Sequence, residues 1–135
     1  MTSRILHYGL DKCHKLAVLR DAGFLVQDCG VSISQLHSAL LVAGEVDAVV
    51  FTENDDVEPD KVISVVRSAS MARLVLFQSG HRRYDETGFD LVFPTLVDSR
   101  QWLKGIESQI EQRRGIRPAR RQVFALVQQP NNQDA

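Results

Sequence analysis

The densest group of side chains able to do chemistry is Thr52-Glu53-Asn54-Asp55-Asp56, with Glu58 close behind. Clustered carboxylate and amide oxygens are the ligand type that magnesium and calcium take. The same stretch lies between an apolar run and Pro59. A solvated loop with an Asp or Asn turn explains it without a metal, and none is expected here. His81-Arg82-Arg83-Tyr84 joins cations to an aromatic ring and suits an anion or a protein partner. The run from Arg113 to Arg121 is basic and could meet phosphates. It lacks a recognition-helix pattern and aromatic interleaving, which argues against nucleic acid.

Nucleophile and metal patterns are otherwise thin. Cys13 and Cys29 have no CxxC spacing and are expected to be reduced packing residues. His7, His14, His37 and His81 are dispersed, without zinc spacing. His7 falls in a strand and is expected to be a hydrogen-bonded core residue. No GxGxxG, P-loop or Gly-x-Ser-x-Gly elbow occurs. No cofactor is expected, and the chain is read as not an enzyme.

The elements that must position these groups alternate. Residues 4–8 are strand-like up to Gly9, and 11–22 read as a helix with Asp11 as N-cap and Gly23 as its stop. Phe24 to Cys29 is a second strand. Ser32 or Ser34 caps a helix with Leu36, Ala39, Leu40, Leu41 and Ala43 inward, ended by Gly44. Asp47-Ala48-Val49-Val50-Phe51 is continuously apolar after its first residue, as a parallel strand covered on both faces should be. Pro59 opens a helix with Val62, Ile63, Val65 and Val66 buried. Leu74-Val75-Leu76-Phe77 and Leu91-Val92-Phe93 are two more strands. Asp98 or Ser99 caps a last helix with Trp102, Leu103, Ile106 and Ile110 inward. Strands alternating with helices predict a parallel sheet with helices on both faces, in the flavodoxin-like order 2-1-3-4-5.

At 135 residues the chain suits one domain able to bury its own core. Its net charge of −1 gives no global drive toward nucleic acid or acidic membranes. No apolar run reaches membrane-spanning length, so a cytoplasmic location is expected. The division expected is a domain over residues 1–112 and a tail over 113–135. That tail is first basic, then apolar at Val123-Phe124-Ala125-Leu126-Val127, then polar.

Three passages resemble the response-regulator receiver (CheY-like) family. Ala22-Gly23-Phe24 is similar to the turn from the first helix into the second strand. Leu36 to Leu41, then Gly44 and Asp47 to Phe51, resembles the entry to the third strand. Val92-Phe93-Pro94 resembles the end of the fifth. The resemblance spans about residues 4–112 and implies a phosphoryl-accepting pocket at the carboxyl ends of the strands. Carried over by position, the acceptor Asp falls on Thr52 and the metal-binding acids near Gly9 and Leu10, with Asp11 one step late. The Thr/Ser position falls on Gln78, beside Ser79, and the Lys falls on Phe93. Glu53 becomes the acceptor only if the third strand slips by one, and Leu10 and Phe93 still do not fit.

Residues 79–88 are also short for the helix a receiver places there, so the fourth helix is expected to be shortened or missing. The resemblance therefore implies a degenerate pseudo-receiver, a non-catalytic protein-interaction module in bacterial signal transduction. Its partner is expected to be a protein, with a second copy of the chain one candidate. The alternative is a small-molecule or anion-binding regulatory domain using Thr52, Gln78, Ser79, Arg82 and Arg83, with Tyr84 beside them. An open carboxyl-edge pocket would favour that alternative, and a Phe93 packed inward would favour the first.

Overall fold

The computed structural model describes residues 3–53, 58–78, 88–94, 97–113 and 115. The strands are β1 (Arg4–Tyr8), β2 (Leu25–Asp28), β3 (Ala48–Thr52), β4 (Arg73–Phe77) and β5 (Leu91–Phe93). All pair in parallel, in the order β2-β1-β3-β4-β5. The helices are α1 (Lys15–Asp21), α2 (Ile33–Ala43), α3 (Pro59–Ala69) and α4 (Ser99–Arg113). This is the flavodoxin-like architecture that the alternation predicts. The segment in which a shortened fourth helix was expected lies outside the described residues.

Side-chain alternation on the strands sorts the core into two layers. Leu6, Tyr8, Val49, Phe51, Leu74 and Leu76 face α2 and α3, with Tyr8 stacked on Phe51 at 5.5 Å. Ile5, Val50, Val75, Phe77, Leu91 and Phe93 form the other layer with Leu19 of α1 and Trp102, Ile106 and Ile110 of α4. Gly105 lies against this second layer, and a Cβ there would stand 2.9 Å from Phe93 Cζ. Every residue of β3 is buried, the physical reason that its sequence lacks polar alternation. Edge strand β2 is mostly exposed.

Three local expectations change. The first helix does not run unbroken from residue 11. A 3-10 turn at Lys12–His14 precedes α1, and Cys13 (φ 61°) and His14 (φ 56°) are left-handed. Asp11 still serves α1, because Leu16 N–H donates to its carboxylate at 3.2 Å across that turn. Cys13 is exposed rather than a packing residue, whereas Cys29 is buried. Leu41 is 65% exposed, because the buried face of α2 follows Leu36, Ala39 and Leu40, and position 41 falls beside that stripe. At α4, Asp98 supplies the cap, accepting from Arg100 N–H at 3.2 Å.

Candidate functional site

Parallel strands bring their last residues to one edge, and open α/β sheets present ligand sites there. The first residues beyond or at these ends are Gly9, Thr52, Glu53, Gln78 and Phe93. Thr52 ends β3 and pairs with Phe77 of β4. Its side chain is 2% exposed and its Oγ1 lies 3.3 Å from His7 Nε2. His7 is wholly buried. Its Nδ1 stands 3.5 Å from Asp28 on β2, a long electrostatic contact and not a full hydrogen bond. Asp28, His7 and Thr52 thus form an acid–imidazole–hydroxyl line across three strands. The residue types are those of a nucleophile, a base and an orienting acid. Here the hydroxyl and imidazole are sealed from solvent, so the line is a polar element of the core whose Nδ1 lacks a full hydrogen bond.

Glu53 is also buried, and its N–H donates to Phe77 O at 3.0 Å. The sequence grouped it with a solvated acidic loop. The structure places it and Thr52 inside the protein, while residues 54–57 lie outside the described residues. Lys15, the first residue of α1, is buried as well, with Nζ 4.5 Å from the centroid of the Phe77 ring. A lysine this buried is rare, and the sequence reading missed it. The left-handed pair Cys13–His14 turns the chain just before it. No local pattern announces that lysine, since its burial depends on β4 lying beneath α1.

The other expected site residues divide. Leu10 is exposed, and Asp11 is exposed and committed to the start of α1. Gln78 N–H donates to Phe93 O at 2.8 Å. Phe93 points into the core, stacked on Phe77 at 5.3 Å, while Trp102 meets Phe77 edge-on at 5.4 Å. Ser79, Arg82, Arg83 and Tyr84 lie outside the described residues. Among the described residues no three His, Cys, Asp or Glu side chains converge to hold a metal. Buried Cys29 has its thiol pushed up to about 11, by burial first and then by the Asp28 charge. That makes it a poor nucleophile at neutral pH.

The architecture matches known structures at low sequence identity. A response regulator receiver domain protein (CheY-like) from Methanospirillum hungatei JF-1 superposes with a TM-score of 0.70 at 14% identity, over 85% of this chain and 98% of that one. The fold is that of a receiver domain. The receiver domain from the hybrid histidine kinase CckA gives a TM-score of 0.64 at 16% identity, covering 80% of this chain and 99% of that one. A structure described as adenylate cyclase from Rhodopirellula baltica gives 0.67 at 15% identity, covering 83% and 90%. No family model matches the sequence, and no curated protein does either.

The receiver fold implies a magnesium ion at this edge. The described residues at the corresponding positions do not fit one. Leu10 has no oxygen ligand in its side chain, Asp11 is held by α1, and the space where a side chain of residue 9 would begin is taken by the Thr52 carbonyl.

Burial depresses the His7 pKa below its ordinary 6.5, and desolvation is the largest cause. The Asp28 contact and charge and the Asp11 charge pull the other way, and Lys15 adds to the lowering. The unfolded chain takes up a proton near pH 6.5, before the folded chain does. Stability therefore falls as pH drops below about 6.5, by up to about 1.4 kcal/mol per pH unit, and His7 contributes no slope above that. Urea midpoints of the parent and His7→Gln at pH 7.5 and 5.5 are expected to show the steeper acid loss in the parent. Equal losses would show that His7 is not the group responsible.

Proposed function

We propose that the chain is a non-catalytic receiver-fold module of signal transduction, acting by binding another protein and not by accepting a phosphoryl group. One observation carries the reading. Phe93, where the resemblance puts the pocket's lysine, is packed inward on Phe77 in the layer that holds Trp102. Thr52, where it puts the acceptor, is buried against His7. A buried hydroxyl is a far weaker phosphoryl acceptor than an exposed carboxylate, and no cation from β5 stands ready to offset the added charge.

The inward Phe93 also counts against the small-molecule alternative, which requires open volume at this edge. No helix among the described residues is long and apolar enough to cross a membrane. The neighbours named as receiver domains support a signalling role through the fold, and the cyclase shows that the fold alone does not dictate it. The partner surface most consistent with the site is the face of β5 and α4, where Trp102 and Phe93 set the packing.

The test is a titration with Mg²⁺ and then beryllofluoride, which mimics a phosphoryl group on aspartate, followed by amide NMR. The expected result is no saturable shift at Thr52, Glu53 or Gln78. Saturable shifts there would reveal a rearranged but active receiver and overturn the reading.

A further inference from the structure

At the opposite edge, the amino ends of the strands surround a groove of about 1430 Å³. That exceeds the roughly 1,000 Å³ to which small-ligand pockets run, and the groove is open to solvent. Its walls include the starts of β1, β2 and β4 and the last turn of α4. Two wall residues, Leu25 and Met71, are large hydrophobics left 53% and 77% exposed. Leu41 and Val42 are exposed directly before Ala43, another wall residue. Two of the six exposed large hydrophobics among the described residues thus line one groove, and exposed apolar area of this kind marks a surface that can be covered.

The charges on the wall are uneven. Arg113 is already paired with Asp47 at 3.2 Å and Glu45 at 3.4 Å, and Arg73 with Asp90 at 3.4 Å. Glu107 and Glu111, one turn apart on α4, line the same groove and make no ion pair among the described residues. Among the described residues the groove therefore offers apolar area and two carboxylates outside any ion pair, beside Arg4, whose guanidinium donates to Ala43 O at 2.9 Å.

The chain itself supplies the complement. Arg113 lies in the groove wall and Gly115, at φ 81°, turns the chain out of the helix, its N–H donating to Gln112 O at 3.1 Å. Beyond it come Arg117, Arg120 and Arg121, then Val123-Phe124-Ala125-Leu126-Val127. From Gly115, the eight residues to Val123 reach as far as about 27 Å when extended, enough to fold back along the wall. We infer that residues 117–127 dock in cis into this groove, with the arginines against Glu107 and Glu111 and Phe124 and Leu126 against Leu25 and Met71. The occupant is then the chain's own tail. The inference does not depend on the proposed function, because it concerns the other edge of the sheet.

The test uses the full chain and two variants, the tail double variant Phe124→Asp/Leu126→Asp and the groove variant Met71→Glu. Trypsin cleavage after Arg120 and Arg121 is expected to be about tenfold slower in the parent than in either variant, as for a site that must first open. Amide signals of Leu25, Met71, Glu107 and Glu111 are expected to differ between the parent and the double variant, independently of protein concentration. Signals of β3 serve as the control that the fold is intact. Equal cleavage rates with unchanged groove signals would overturn the inference. So would a concentration-dependent difference, which would assign the groove to a second copy.

Discussion

Replacing Phe93 by Ala is expected to destabilise the domain by about 3–5 kcal/mol, lowering the melting temperature by roughly 10–20 °C. The side chain is fully buried, stacks on Phe77 and fills the space over Gly105. Its removal leaves a cavity between β5 and α4 and forfeits a ring pair worth about 0.5–1.5 kcal/mol beyond the area it buries. Phe93→Lys, which writes back the residue that the resemblance places there, is expected to cost at least as much. A lysine at this position would put an ammonium among Phe77, Leu91 and Trp102 unless it forced its way out. Calorimetric scans of both variants decide the point. A shift below about 3 °C in either would mean that the ring is not packed as described and that the carboxyl edge is more open than its geometry indicates.

That expectation also shows where sequence reading succeeds and where it stops. Strands β3 and β4 were legible because a strand covered on both faces must be apolar throughout, and Ala48 to Phe51 and Leu74 to Phe77 are. The helix ends at Gly44 and the start at Pro59 were legible because backbone chemistry sets them locally. Leu41 was misassigned because a run of adjacent apolar residues hides which one faces the core. The site was less legible. Thr52 and Phe93 could be placed by counting along the strands, and His7 was expected in the core. Its partner Asp28 sits on a strand twenty-one residues later in the chain, and only the register His7↔Asp28 brings the two together. Lys15 was invisible for the same reason, since nothing near it in sequence announces the Phe77 ring beneath it. Pairings made by topology carry no local signature, and this site is built mostly from such pairings.

Gly9→Ala is the other substitution with a large expected effect, on the order of 2–6 kcal/mol. About 1–3 of this comes from a left-handed backbone without glycine and a similar amount from forced contact. Gly9 has φ 107°, and a Cβ there would stand 2.3 Å from the Thr52 carbonyl oxygen. Neither side can yield cheaply. Gly9 N–H donates to Gly30 O at 2.8 Å, which ties the turn to the end of β2. The carbonyl belongs to β3, the most buried strand. Gly23→Ala is the matched control, because Gly23 has a similar φ of 99° but nothing within 4 Å of an added Cβ. The difference in urea midpoint between the two variants therefore isolates the contact from the backbone preference. A clearly larger loss at Gly9 means that the turn after β1 is locked against the end of β3. In that case Gly9→Asp cannot restore a metal carboxylate without breaking the sheet edge that would have to hold the metal. Equal losses mean that Thr52 gives way, and that the edge could readmit a side chain at position 9.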